Sequence, residues 1–336
     1  MSGPGGRGAA WRMAAALVCA VTAAACGGNG TDGGGRRDGD MEIMRLERVI
    51  MDCDEASLPE ALQRFDEELA SPLLTLRPQE QEFMEMVRQY RTDSVMRDID
   101  ATVQRRYGDL GWLERALTEA VQRASKLDKG IGLRKAATFI GSSGYADRVR
   151  ADRESATLVI AIDQYAVGGM ERYGFFGDPM YVVRLSDSAY LTADCMAALA
   201  HEYIAMPPEP WSLLDYMVAE GKELFFLDQT LPRTADSIKI RYTRQQMEWA
   251  ERHEAKVWAY LLHNKLLFNT DVTAFHNLID EAPKTNAFGN ESAPRAVEYV
   301  GWQMVRQYMK RSGASLHELM EETDARKILE GSGYRP

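Results

Sequence analysis

The apolar periodicity of this chain changes character twice, and that limits its fold more than any other feature. Over residues 58–127 apolar side chains recur at helical spacing, first Leu62, Phe65 and Leu69, then Leu110, Leu113, Leu117 and Val121. Ser71-Pro72 and Arg77-Pro78 interrupt that pattern, because the residue before a proline is pushed out of the helical region. The middle reads differently. Residues 136–141 and 157–162 are short apolar runs with strand character, Gly141-Ser142-Ser143-Gly144 is a turn signal, and 181–185 is a third expected strand. From Leu191 helical spacing returns over 191–205, 211–228, 243–268, 271–281, 293–311 and 315–321. Thr243 with Gln246 and Ser315 with Glu318 have capping-box spacing, and Asp271 suits an N-cap. Residues 42–51 fit a strand or a helix. A small sheet between two helical regions predicts an α+β chain that is mostly helical.

The first forty residues are of another kind. Arg7 and Arg12 are the only charges before Asp32, and an apolar segment runs over 13–25 into Cys26. Such a segment is too short to span a bilayer but suits the core of a signal peptide. Ala23-Ala24-Ala25-Cys26 fits either a lipobox, with Cys26 lipidated as the new N-terminus, or an ordinary A-x-A cleavage site. The glycines at 27, 28, 30 and 33–35 read as a tether. The expected organisation is therefore a signal peptide over 1–25, a tether over 26–40 and a single domain over 41–336. Within that domain, 41–135 is mainly helical and 136–336 holds the strands and the later helices.

Composition excludes some functions. With 50 acidic against 40 basic residues the net charge is −10, which argues against broad nucleic-acid binding. No run of eighteen apolar residues exists to cross a membrane. After signal removal Cys53 and Cys195 remain beside Cys26, so one disulfide or two thiols are open.

The most chemically suggestive segment is Ala200-His201-Glu202-Tyr203-Ile204-Ala205. In a zinc peptidase, H-E-x-x-H sets two histidines one helical turn apart, both facing the metal, with the glutamate polarising bound water. Here the second histidine is replaced by Ala205. Glu220, nineteen residues after His201, has the spacing of a third ligand from a following helix. Three of the five histidines precede a glutamate, at 201, 253 and 317, so the dipeptide alone carries little weight. Its setting, in an apolar helix after the strands, gives the first pair its interest. A catalytic zinc needs three protein ligands and an open position, whereas His201 and Glu220 supply two. The expectation is a helix shaped like a peptidase's that has lost its chemistry. His201, Glu202 and Glu220 are the candidate catalytic residues, His201 and Glu220 the candidate ligands, and zinc the metal that such a site would take.

Glu254 falls on the apolar stripe of the helix that carries Met247, Ala250, Val257 and Leu261. A carboxylate there needs a partner, and Arg295 is the expected one. The alternative is a group lining a former cleft. Gly301, inside a helix and beside Trp302, reads as a site of close helix packing.

The C-terminal half resembles the gliding-motility-associated lipoprotein family GldB of Bacteroidetes. The resemblance runs through Leu213-Leu214-Asp215-Tyr216-Met217, Glu220-Gly221-Lys222, Leu231-Pro232, Asp236, Tyr242-Thr243, Trp249, Trp258, Thr270-Asp271, Pro294-Arg295, Gly301-Trp302 and Tyr334-Arg335-Pro336. It spans about 157–336, with 158–165 similar to a family strand that ends in an Asp-x-Tyr element. The resemblance implies a zincin-like domain with a small sheet and a C-terminal helical bundle. It also implies a lipid-anchored envelope protein, held by Cys26 and most simply at the outer membrane, whose partners are envelope proteins of the gliding and secretion machinery. The functional expectation is a non-catalytic structural or interaction component. The alternatives are a zinc-dependent peptidase with a degenerate site and a soluble secreted binding protein.

Overall fold

The computed structural model describes residues 41–141, 148–166 and 177–336. The chain divides into two compact units, one of 41–119 with 132–195 and one of 120–131 with 196–336. The turn signal at Ser142-Ser143-Gly144, the signal segment, Cys26 and the tether lie outside the described residues.

The first unit holds the sheet. Strand β1 (Ile43–Arg45) runs directly into helix α1 (Leu46–Asp52), so 42–51 is strand and helix in succession. Helices α2 (Leu58–Leu69), α3 (Gln81–Thr92), α4 (Ser94–Tyr107) and α5 (Gly111–Leu127) follow. Strands β2 (Lys135–Phe139), β3 (Val149–Asp152) and β4 (Thr157–Ala161) complete a four-stranded sheet of order β1-β2-β4-β3. β1, β2 and β4 are parallel, with Ala136 paired to Ile43 on one side and to Leu158 on the other, and β3 is antiparallel to β4. All five residues of β4, Thr157-Leu158-Val159-Ile160-Ala161, are buried, as expected of a central parallel strand covered on both faces. Leu58, Leu62, Phe65 and Leu69 of α2 form the stripe that packs with Ile50, Phe83, Val87, Phe139 and Val159. Side chains of α5 occupy backbone donors at and beside β1: Met41 N–H donates to Thr118 Oγ1 at 2.8 Å and Ile43 N–H to Glu114 Oε1 at 3.0 Å.

The expected strand at 181–185 is instead helix α7 (Met180–Val183), after the short α6 (Asp163–Ala166). Pro179 caps α7 in an extended conformation, and burial of Val182 and Val183 outweighs their β propensity. The sheet's antiparallel strand, Val149–Asp152, is not among the expected strands; its alternation is too short to read from sequence.

Helix α8 (Ser188–His201) leads from the first unit into the second. The second unit contains α9 (Leu213–Thr230), α10 (Asp236–Lys239), α11 (Arg244–His263), α12 (His276–Ile279), α13 (Ala296–Ser312), α14 (Leu316–Glu321) and α15 (Ala325–Ser332). Capping boxes at Thr243/Gln246 and Ser315/Glu318 are formed, and Asp271 caps a 3₁₀ turn at Val272–Ala274. A further box, Ser212 with Asp215, starts α9. The expected helix over 271–281 is broken at Phe275, whose φ of −137° leaves helical geometry while its ring is fully buried.

α13 is buried along most of its length, including Trp302 at 0% exposure, and is the central helix of this unit. It approaches α9 closely because both carry a glycine at the crossing. A Cβ on Gly301 would lie 2.0 Å from the Met217 carbonyl oxygen, and one on Gly221 would lie 2.5 Å from the Gly301 oxygen. The packing role expected of Gly301 is thus present, with Gly221 as its counterpart.

Candidate functional site

His201 is the last residue of α8 and is exposed, and Glu202 is half-buried in the turn that follows. The expected helix over 191–205 ends four residues early. Pro207 and Pro208 cannot donate backbone hydrogen bonds and oppose helix continuation. The Ala205 N–H instead donates to the Met320 carbonyl at 2.9 Å. Positions 201 and 205 therefore do not share a helical face. Ala205 has no donor atom, and among the described residues no three His, Cys, Asp or Glu side chains are grouped to hold a metal. The donors present do not fit the three-ligand requirement of a catalytic zinc.

Glu220, half-buried on α9, belongs to a different constellation. Its charge acts on Glu298, a buried carboxylate in the first turn of α13. Arg295, at the N-cap of that helix in a left-handed conformation (φ 43°), brings its Nη1 to 3.1 Å from Glu298 and its Nε to 3.7 Å from Glu281. Arg241, also left-handed (φ 61°), contributes a second positive charge. Tyr242 donates from its hydroxyl to the carbonyl of Pro294 at 2.8 Å, pinning the backbone that presents Arg295. Two carboxylates, Glu298 and Glu281, thus face the Arg295 guanidinium, and the charges of Glu220 and Arg241 also act on Glu298. Burial pushes the Glu298 carboxyl above the usual range; Arg295 opposes the shift and Glu220 adds to it. Burial works against the Arg295 charge, but Glu298 and Glu281 outweigh it and raise its pKa.

The expected pairing of Glu254 with Arg295 is not formed. Glu254 accepts from the Tyr334 hydroxyl at 2.5 Å, and Tyr334 packs edge-on against Trp258 at 5.2 Å. The reason lies in the ends of the chain segments: Arg295 precedes α13 and turns toward acids on its own side, whereas the C-terminal segment returns to α11.

A second network ties three helices. Asp228 of α9 accepts from Arg306 at 2.7 and 2.8 Å, from Lys239 at 2.8 Å and from the Trp302 indole at 3.0 Å. Arg306 also reaches Asp236 at 2.8 Å and lies 3.7 Å from the Trp302 ring centroid. Lys222, almost fully buried, donates to the Glu322 carbonyl at the end of α14; burial lowers its pKa to about 8 against the pull of Glu322 and Glu321.

In the first unit, buried polar groups gather after the C-terminal ends of the parallel strands. Glu47, following β1, accepts from Arg45 at 2.8 Å and Thr138 at 2.9 Å; burial raises its pKa despite both. The Asp-x-Tyr element is Asp163-Gln164-Tyr165, with all three side chains buried. The Tyr165 hydroxyl donates to Asp194 at 2.7 Å, and Arg148 pairs with Asp194 at 2.5 Å while lying 4.9 Å from the Tyr165 ring centroid. Glu281, Asp194 and Arg148 are not marked by sequence spacing, since their partners lie on separate elements. The helix-start position of Glu298 beside the Pro294-Arg295 pair was the one available signal. Cys53 and Cys195 are not joined in a disulfide, and Cys195 is buried.

A small mixed sheet with a polar carboxyl edge, followed by a helical unit built around buried ion-pair networks, defines a helix-rich α+β protein. No helix among the described residues is long and apolar enough to cross a membrane. The chain belongs to the family of the gliding motility protein GldB, whose family model matches residues 36–336. The family is one of lipoproteins, which makes the chain a gliding-motility-associated protein of the lipid-anchored envelope type. No curated protein and no solved structure matches it.

Proposed function

We propose that this chain is a non-catalytic structural or interaction component of the cell envelope, anchored through an acylated Cys26 and working with the gliding machinery and its coupled secretion system. The observation that supports the non-catalytic reading is that position 205 is an alanine, with no side-chain atom to hold a metal, and lies beyond the end of α8 at His201. Family membership supports the link to motility. On this reading His201, Glu202 and Glu220 are remnants of a zincin-like ancestor, and Glu254 and Arg295 are architectural. The folded units dock envelope proteins while the anchor keeps them at the outer membrane. Crosslinking and pull-down from envelope fractions should recover motility or secretion components. Stoichiometric zinc in the purified protein, with proteolysis lost on chelation, would replace this reading with that of a peptidase.

A further inference from the structure

Residues 255–270 run against the charge of the chain. The sequence holds 50 acids against 40 bases, yet this stretch has no Asp or Glu and includes Lys256, His263 and Lys265. It comprises the C-terminal part of α11 and the turn beyond it. Leu262 is 51% exposed and Phe268 46%. With Val272, these are three of the six exposed large apolar side chains among the described residues, all within 262–272. The Arg326 guanidinium lies 3.9 Å from the Phe268 ring centroid. None of Lys256, His263, Lys265 and Arg326 forms an ion pair among the described residues.

Single exposed apolar residues are ordinary. Unneutralised cations interleaved with exposed Leu and Phe in an acidic protein are a different matter. Basic side chains beside exposed aromatic and aliphatic groups are the composition of segments that lie in a bilayer interface, where cations meet lipid phosphates and rings enter the headgroup layer. The cations also give complementarity to an anionic leaflet, which the net charge of −10 would otherwise repel. The anchor supplies the partner. Cys26 precedes Met41 by fifteen residues, a span of at most about 50 Å, so acylation holds the chain beside a leaflet.

We propose that the basic, apolar segment 255–270, together with Arg326, is a contact site for anionic phospholipid headgroups, with Phe268 and Leu262 entering the headgroup layer. The proposal rests on the lipid-anchored reading given above. The mature chain carrying Cys26→Ser, free of acyl groups, is sedimented with vesicles of phosphatidylcholine alone and of phosphatidylcholine mixed with phosphatidylglycerol. Binding is expected to the mixed vesicles and to weaken with added salt. Lys265→Glu should lower the partition coefficient by about fivefold or more. Leu262→Ser with Phe268→Ser should lower it by about tenfold, with the circular dichroism spectrum unchanged. Absence of binding to either vesicle overturns the proposal, as does binding that these variants leave intact. Loss of protein crosslinks in the variants, without vesicle binding, overturns it in favour of a protein interface. Mass spectrometry of the native N-terminus tests the anchor separately: an unacylated Cys26 defeats the lipid-anchored reading whatever the vesicles show.

Discussion

Replacing Gly301 with alanine separates two physical effects that predict opposite signs. Helix propensity alone favours alanine by about 1 kcal/mol in a helix interior. The crossing of α9 and α13 opposes it, because the new Cβ would lie 2.0 Å from the Met217 carbonyl oxygen and 2.7 Å from its carbon. Those atoms are backbone and cannot rotate away. Relief requires the helices to part by roughly 1 Å, and a gap of that size forfeits about a quarter to a half of each contact's attraction along the seam. Overpacking of this kind costs about 1–3 kcal/mol and more where backbone must shift. The net expectation is destabilisation by about 2 kcal/mol, a fall in Tm of about 4–8 °C at this size. Thermal and urea unfolding followed by tryptophan fluorescence reads the effect, since Trp302 is fully buried beside the crossing. Gly132→Ala is the control: its Cβ would meet nothing within 4 Å, so it should be neutral or mildly stabilising. A Gly301→Ala protein as stable as the parent would refute the steric reasoning.

Glu298 should make stability pH-dependent. Its folded pKa is raised, so its contribution is fully present below the usual carboxylate range and is lost as pH rises toward the folded value; Glu298→Gln should therefore gain Tm relative to the parent as pH increases across that window, and a constant difference would count against it. Asp228→Ala takes a half-buried counterion from Lys239 and Arg306 and leaves them Asp236; it should cost about 1.5–3 kcal/mol, measured by urea denaturation. Ser212→Ala removes the cap of α9 and should cost about 1 kcal/mol in the same assay. Elemental analysis of the purified protein should find no stoichiometric zinc, and the His201→Ala variant should unfold at the parent's Tm.

Much of the helical frame was legible because its signals are local. The stripe Leu58, Leu62, Phe65, Leu69 and the capping pairs at Thr243 and Ser315 each act within a turn or two, and each of these helices starts where expected, although α11 ends at His263, five residues before its expected bound. The failures share a cause. Val182 and Val183 suit a strand, but a strand needs a neighbour that the sequence does not name. α8 stops at His201 ahead of Pro207 and Pro208, and the Ala205 N–H finds its acceptor in a distant carbonyl, that of Met320. The polar clusters were least legible of all. Arg295 is the partner expected for Glu254, whereas its partners are set by the left-handed turn before α13 and by Glu281 in a separate loop.

The first strand carries a consequence for a protein confined to a surface. Molecules tethered to one leaflet meet one another far more often than in free solution, and an open strand invites a neighbour's backbone to join it. Thr118 and Glu114 already answer the amides of Met41 and Ile43. Two borrowed side chains thus stand where another copy's main chain could have paired, which lets the protein be crowded on a membrane without its sheet spreading from that side.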